Sequence, residues 1–215
     1  EFDGIYQYSD FYSVPGSSSL VLKEGVTSNP SLGNRLAPGA VKYKDQDGDG
    51  VITTKDRTVI GNPFPDFTYG FGLNAAYKGF DFSAFFQGVA GVDRIVMDYP
   101  TVSGNVTTAF LDRYSESANP NGNFPRLGNG DYNSQPSSFW LKDASYLRLK
   151  NVEVGYSFSK KTLEKMHLGS LRVYATGYNL LTFDKLGVID PESKSAARAT
   201  YPLVMVINFG LKVGF

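Results

Sequence analysis

The sequence lacks cysteine altogether and has only one histidine and one tryptophan among its 215 residues. Without cysteine the chain cannot form disulfides, zinc-thiolate sites, iron-sulfur clusters or a cysteine nucleophile. The single His167 excludes a polyhistidine metal site built from this chain alone. No Ser-His-Asp arrangement is visible around His167, so we expect a solvated residue in a turn and not a catalytic base. The sequence therefore indicates that the protein is not an enzyme.

The sequence also lacks net charge and long hydrophobic runs. Lys plus Arg and Asp plus Glu number 21 each, so no overall basic field exists to attract nucleic acid, which we exclude as a partner. No uninterrupted apolar run reaches the roughly 18 residues of a membrane-spanning helix, which leaves crossing by β-strands open. No initiator Met and no leader-like segment open the chain at Glu1, so we expect a fragment of a longer protein.

What the sequence does contain is glycine and aromatic residues in alternating patterns, with 23 Gly, 16 Phe and 14 Tyr. Strand-like alternation with a period of two runs through five stretches, residues 68–77, 80–90, 146–158, 171–182 and 204–215. Each stretch is 10 to 13 residues long. Strands of globular proteins are commonly about 5 to 6 residues long, whereas tilted membrane-crossing strands need roughly 9 to 11. The lengths favour a membrane barrel.

The two faces of these stretches differ in polarity. In the last stretch one face is apolar from Met205 to Phe215, and phenylalanines alternate with polar residues in the second. Such faces suit lipid outside and a wet lumen inside. The polar side chains that we predict to face the lumen are Asp81, Ser83, Gln87, Asn208 and Lys212. A change of phase in the third stretch predicts a β-bulge near Lys150 or Asn151. The pattern does not decide which face of residues 171–182 meets lipid.

The connections between the five stretches alternate in length. Residues 78–79 and 159–170 form short connections, whereas residues 91–145 and 183–203 form long ones. Outer-membrane barrels have short periplasmic turns and long extracellular loops. A soluble β-sandwich would show the same alternation with the apolar face as its core, so alternation alone leaves both architectures open. The connection lengths favour the membrane barrel.

One acidic motif has the spacing of an EF-hand loop. Carboxylates at loop positions 1, 3, 5 and 12, a glycine at position 6, a carbonyl at 7 and a threonine at 9 suit Ca²⁺, with Mg²⁺ as the alternative ion. The predicted metal ligands are Asp45, Asp47, Asp49, Val51, Thr53 and Asp56. Aspartate replaces the usual glutamate at position 12, and the flanks do not look helical, so we expect a single calcium-type loop with a structural role. A solvated acidic turn and paired catalytic carboxylates are the alternatives.

Four strings, in order, closely resemble the C-terminal region of SusC-like TonB-dependent transporters. They are YKDQDGDGVITTKDRTVIGNPFPDFTYGFGLNAAYKGFDFSAFFQGVAG, FWLKDASYLRLKNVEVGYSF, LRVYATGYNLLTF and YPLVMVINFGLKVGF. The resemblance covers nearly the whole chain and also includes the string GIYQ at residues 4–7. A co-linear series of this kind is far more specific than any single motif.

The resemblance implies an all-β fold made of about the last five strands of a large antiparallel transmembrane β-barrel with long extracellular loops. Residues 1–67 would form an extracellular loop region with the calcium-type loop, and residues 68–215 the barrel strands and their loops. The plug domain is absent from this chain. The implied location is the bacterial cell outer membrane.

The implied function is import of bulky nutrients, oligosaccharide or peptide, together with a SusD-like surface lipoprotein. The further partners are outer-membrane lipid, the remaining barrel and plug of the same transporter, and the TonB complex through the absent N-terminal part. The alternative function is a secreted calcium-dependent carbohydrate-binding or adhesion β module, which would be soluble and monomeric without detergent.

Overall fold

The computed structural model describes residues 1–31, 36–97, 108–128, 130–187, 189–193 and 203–215. The chain divides into two compact units. We call Glu1–Ile60 with Ile95–Leu141 the loop unit, and Gly61–Arg94 with Lys142–Phe215 the sheet unit. The sequence-based division has one boundary, after residue 67. In the structure the loop unit instead takes part of its residues from the long connection that follows the second alternating stretch.

The described residues of the loop unit form two pairs of short strands. β1 (Phe2–Ile5) pairs antiparallel with β4 (Val41–Tyr43), and β2 (Phe11–Ser13) pairs antiparallel with β3 (Leu20–Leu22). Its short helices are 3-10 turns at Tyr8–Asp10, Thr54–Asp56 and Thr108–Asp112 and the α-helix α1 at Gly130–Asn133. Regular structure is therefore sparse in the part of this unit that the structure describes, and side-chain packing has to stabilise it.

Aromatic residues supply that packing in two clusters. One cluster surrounds the buried Tyr6 and Tyr132, and the other surrounds the buried Phe110 and Trp140. The indole Nε1 of Trp140 donates a 2.8 Å hydrogen bond to the carbonyl of Asn133, so the polar atom of this buried ring has a partner. The loop unit thus has a core of its own.

The sheet unit is built on five long antiparallel strands. They are β5 (Phe67–Tyr77), β6 (Phe80–Ala90), β9 (Tyr146–Ser157), β10 (Ser170–Asp184) and β11 (Val206–Gly214). Their spatial order is β11-β10-β9-β6-β5, which leaves β5 and β11 at the edges. The short strands β7 (Asp93–Ile95) and β8 (Leu141–Asp143) pair where the chain leaves and re-enters this unit.

These five strands confirm the five alternating stretches. The turn between β5 and β6 has positive φ at both Lys78 (47°) and Gly79 (89°), which matches the twist of a two-residue hairpin. Where we expected a simple turn at residues 159–170, the structure has a second helix, α2 (Lys160–Met166). It ends at His167, which is exposed as expected and takes the left-handed conformation.

The predicted bulge is confirmed at Lys150. Phe85 pairs with Asn151 and its neighbour Phe86 pairs with Leu149, so Lys150 has no partner on β6. The bulge shifts the phase of β9 and keeps its apolar side chains on one face. Within the described residues no helix is long and apolar enough to cross a membrane.

Strand register places the apolar side chains on one continuous face. Across the sheet Phe82 pairs with Val154, Val154 with Ala175 and Ala175 with Phe209. The same register puts Leu171 and Val173 of β10 on this face, so the phase of this strand, which the sequence pattern left open, is fixed by its pairing. Exposure on this face reaches 84% at Phe209 and 47% at Phe71. We call this surface the apolar face and the opposite surface the polar face.

Candidate functional site

The acidic loop brings three of its carboxylates together. Ligand oxygens of Asp45, Asp47 and Asp49 all lie within 4.8 Å of one another. Asp45 holds the turn closed, since its Oδ1 accepts the N–H of Gly48 at 2.7 Å and its Oδ2 accepts the N–H of Gly50 at 2.6 Å. Both glycines have positive φ, at 77° and 81°, a conformation that side chains other than Asn and Asp rarely adopt. The predicted spacing therefore folds locally into a tight turn that groups three carboxylates.

Asp56, at the last position of the motif, lies outside this group of three. It is buried, and its Oδ1 accepts the N–H of Gln46 at 2.8 Å while its Oδ2 accepts the N–H of Thr53 at 2.6 Å. These hydrogen bonds, that from Thr53 first, lower the pKa of Asp56 below its usual value because they favour the carboxylate. Asp56 thus ties the two ends of the loop together.

The other two predicted ligands lie along the same turn. The N–H of Val51 donates to Asp49 Oδ1 at 2.9 Å, and the hydroxyl of Thr53 accepts the N–H of Lys55 at 3.2 Å. Gly50 and Ile52 hydrogen-bond Ser28, which anchors the loop to the rest of the loop unit. Hydrogen bonds to Ser28 and to the Asp56 carboxylate therefore hold the loop in place.

The polar face carries all five side chains that we predicted to face a lumen. Ser83 pairs with Glu153, Glu153 with Thr176 and Thr176 with Asn208, so one polar row crosses four strands. The same register places the other three predicted residues on further rows of the polar face. Asp81 pairs with Gly155, Gln87 with Arg148 and Lys212 with Arg172.

Near the β5–β6 turn the polar face carries an ion triad that sequence reasoning missed. Arg172 Nε donates to Asp81 Oδ1 at 3.2 Å, its Nη2 also contacts Asp81, and Nη2 lies 2.5 Å from Glu153 Oε1. The triad spans three strands, because these residues come from β6, β9 and β10. Gly155 makes room for it: a Cβ there would lie 2.6 Å from Asp81 Oδ2.

A second charged cluster lies toward the other end of the polar face and was also missed. Arg148 Nη2 donates to Asp190 Oδ1 at 2.8 Å, and Lys150 Nζ donates to Glu192 at 2.8 and 2.9 Å. Burial alone would raise the pKa of Asp190, but the N–H groups of Leu203 and Glu192 and the guanidinium of Arg148 lower it below its usual value. The acidic partners come from the connection between β10 and β11.

Comparison with known proteins relates the whole chain to one group. The TonB-dependent receptor P3 of Formosa agariphila is 31% identical over 231 residues, which cover 100% of this chain and 21% of that protein. The TonB-dependent receptor SusC of Bacteroides thetaiotaomicron is 32% identical over 177 residues, covering 80% of this chain and 17% of that protein. No model of a known protein family matches. The chain belongs to the SusC-like TonB-dependent receptors.

Solved structures agree with the fold of this SusC-like chain. The RagAB peptide importer in its open-open state matches with a TM-score of 0.65 and 22% identity, covering 96% of this chain and 24% of that chain. Its closed-closed state matches with a TM-score of 0.66, also at 22% identity, covering 96% and 25%. The SusC-like chain spans about a fifth of the length of the curated relatives it matches.

Membership decides between the two architectures that alternation left open. The five-stranded sheet is part of a large outer-membrane β-barrel and not half of a soluble sandwich. The named relatives are receptors and transporters rather than enzymes. The exposed apolar face of the SusC-like sheet is consistent with this assignment, since water-soluble monomers rarely expose such continuous apolar surface.

Proposed function

We propose that this chain forms barrel wall, lumen lining and external loops of a transporter that imports bulky nutrients across the outer membrane. The observation that carries the proposal is the two-faced sheet, with exposed aromatic and aliphatic side chains on one face and charged rows on the other. A membrane barrel needs this combination, because lipid surrounds its outside and water fills its lumen. In this proposal the apolar face meets lipid, and Asp81, Ser83, Gln87, Asn208 and Lys212 face the lumen.

The cargo that we propose is an oligosaccharide or a peptide, captured together with a SusD-like surface lipoprotein. Support comes from the family, which includes SusC, and from neighbours described as a peptide transporter and a peptide importer. Energy for import would come from the TonB complex, acting through the plug and the remaining barrel of the same transporter. The loop unit is our candidate for the extracellular part, because it carries long irregular segments around a core of its own.

Uptake by cells tests this function. Deletion of the gene for the full-length receptor should abolish accumulation of labelled oligosaccharides or peptides too large for porins, and a plasmid copy should restore it. The receptor should co-purify with a lipoprotein from detergent-solubilised outer membranes. The proposal fails if uptake of a broad panel of such compounds is unchanged in the deletion strain while the receptor is present in the outer membrane of the parent.

A second proposal concerns the acidic loop, which we assign to Ca²⁺ with Mg²⁺ as the alternative. Three carboxylates within 4.8 Å repel one another, and a divalent cation would relieve that repulsion. Asp45, Asp47 and Asp49 would supply side-chain oxygens, Val51 its carbonyl, and Thr53 and Asp56 further oxygens. The ion would fix the loop that precedes β5 in one shape and would take no part in covalent chemistry.

Titration calorimetry on the chelator-treated receptor tests the metal assignment. Because the full-length protein contains other acidic residues, the difference between matched variants is the informative quantity. Asp49→Asn should remove one Ca²⁺ site per receptor, whereas Glu24→Gln, an exposed carboxylate of the same unit, should leave the stoichiometry unchanged. Equal calcium stoichiometry for wild type and Asp49→Asn would contradict the assignment, and so would binding of no divalent cation.

A further inference from the structure

The charged cluster at the far end of the polar face joins a barrel strand to residues 189–193. Arg148 and Lys150, which we call the basic pair, both lie on β9. Glu192 contacts the two together: its Oε1 lies 3.3 Å from Arg148 Nε, and both of its oxygens accept hydrogen bonds from Lys150. The β-bulge contributes to this arrangement. It leaves Lys150 without a pairing partner on β6, two positions along β9 from Arg148. Two cations thus converge on one carboxylate.

Arg148 has hydrogen-bonding capacity that its present partners do not use. The side chain is 3% exposed, yet Nη1 has no hydrogen-bond partner among the described residues, and Nε contacts Glu192 only as an ion pair at 3.3 Å, without hydrogen-bond geometry. A guanidinium carries five N–H donors in a planar fork that fits carboxylates in a bidentate manner. Leaving donors of a buried charged group unpaired is costly, so this side chain favours a further acceptor oxygen. The guanidinium therefore has N–H donors that an incoming carboxylate could use better than Glu192 does.

Asp190 and Glu192 are attached to the basic pair in different ways. Asp190 also accepts the N–H groups of Leu203 and Glu192, each at 2.9 Å, so it is part of the folded connection itself. The carboxylate of Glu192 instead contacts the cations. The guanidinium Nη1 of Arg94 donates a hydrogen bond to the carbonyl oxygen of Ser193, which adds a further contact to this segment. Glu192 is thus the carboxylate that can leave without undoing the turn around Asp190.

We propose that the basic pair is a carboxylate-binding site for cargo, and that Glu192 occupies it until a carboxylate of the cargo replaces it. This inference rests on the proposed import function, since it assumes that cargo reaches the polar face. Exchange of one carboxylate for another keeps both buried or half-buried cations paired, whereas a neutral ligand would leave them unpaired at a cost. The site therefore selects cargo with carboxylates, such as acidic peptides or uronate-containing oligosaccharides.

Equilibrium binding to the purified full-length receptor tests the site without requiring transport. The probes are acetyl-triaspartate amide, trigalacturonate and, as a neutral control, acetyl-triasparagine amide. Glu192→Gln should tighten binding of at least one acidic probe tenfold or more, because an attached carboxylate competes at an effective concentration on the order of millimolar. Adding Lys150→Gln to that variant should weaken binding again by at least tenfold.

Controls separate this outcome from misfolding and from failure of the import function. Lys185→Gln removes a lysine that pairs with Asp143, outside the cluster, and should leave probe affinity within twofold of wild type. Folding of every variant is checked by its heat-dependent mobility on electrophoresis. Tight binding of triaspartate only, or of trigalacturonate only, supports the site and identifies the source of the carboxylate.

Two results would overturn the inference. The first is that Glu192→Gln changes the affinity of the folded receptor for both acidic probes by less than twofold. The other is equally tight binding of the triasparagine control, which would show that charge is not recognised. Either result can occur while cells still import cargo, so it would reject the carboxylate site and leave the import function to its own uptake test.

Discussion

The loop unit and the sheet unit use the same aromatic residues in opposite ways. In the loop unit Trp140 and Phe110 are each 2% exposed, and Trp140 packs edge-on against Phe139 with ring centroids 4.7 Å apart. In the sheet unit Phe71 stacks on Phe86 at 4.9 Å, yet Phe71 remains 47% exposed and Phe209 84% exposed. Aromatic content alone therefore does not tell which solvent a surface meets.

The difference between the units lies in what completes each of them. The loop unit encloses its aromatic rings with its own residues, so burial from water stabilises it in the manner of a small soluble domain. The sheet unit has one apolar face uncovered and two edge strands, and each needs something beyond these residues: lipid for the face, and neighbouring strands for the edges. The units should respond differently to the same kind of substitution.

The largest effect is expected where an enclosed ring is removed. Trp140→Ala should destabilise the loop unit by about 3–5 kcal/mol, because it leaves a cavity and removes the donor to the Asn133 carbonyl. Hydrogen exchange by mass spectrometry on the full-length receptor should show faster exchange across the loop unit, with the sheet unit protected as before. Leu111→Ala, at an 80% exposed position of the same unit, is the control and should change little. Equal exchange for both variants would contradict an enclosed core.

The next effect distinguishes the two faces of one strand. Phe209→Arg should cost about 2–4 kcal/mol if Phe209 lies near the middle of the bilayer, because it puts a charge against lipid. Its neighbour Asn208 points to the polar face, so Asn208→Arg should cost far less. Folding of the full-length receptor into lipid vesicles, followed by electrophoretic mobility before and after heating, measures the difference. Comparable folding yields for both variants would contradict a lipid-facing apolar surface.

Local sequence patterns predicted most of the secondary structure of the sheet unit. Long alternating stretches predicted all five strands, because strand formation on a two-faced sheet is visible in a period of two. The phase change near Lys150 predicted the bulge for the same reason. The side chains of β10 that lie on the apolar face were not predictable, because Tyr178, Leu180 and Leu181 blur the period. Only the pairing of β10 with β9 and β11 decides them.

Contacts between residues that are far apart in the sequence leave no periodic pattern by which they could be predicted. Arg148 and Asp190 are 42 positions apart, and nothing in their local sequence indicates the ion pair that joins them. The acidic motif was visible because its spacing is local, whereas the two backbone contacts of Asp56 depend on how the loop closes. The loop unit was the hardest part of the fold to predict, since its two segments are separated by β5 and β6 along the chain.

A smaller effect is expected at the ion triad of the polar face. Arg172→Gln leaves Asp81 and Glu153 close together without their cation, so the receptor should unfold at a lower temperature than wild type. The loss should be smaller than for Phe209→Arg, because the triad residues are partly exposed and water screens their charges. Adding Asp81→Asn to Arg172→Gln should recover part of the loss. If the double variant is no more stable than Arg172→Gln, repulsion between the carboxylates is not the cause.

The smallest effect is expected at the turn between β5 and β6, where two contributions oppose each other. Lys78 has a φ of 47°, which asparagine tolerates better than lysine, so Lys78→Asn should relieve about 1 kcal/mol of backbone strain. The same change removes the Lys78 ammonium from over the Tyr77 ring, 5.1 Å from its centroid, a contact worth about 0.5–1 kcal/mol at an exposed site. The net change should therefore be close to zero.

Removing the ring separates these two contributions. In a Tyr77→Leu background there is no ring contact to lose, so Lys78→Asn should become stabilising by roughly the backbone gain. Gly79→Ala provides the opposite control: its φ is 89°, and an added Cβ would lie 2.7 Å from the carbonyl oxygen of Ser157, so it should destabilise in either background. Midpoints of thermal unfolding for the four combinations at positions 77 and 78 give the coupling directly. An identical effect of Lys78→Asn in both backgrounds would show that the lysine-tyrosine contact contributes nothing to the hairpin.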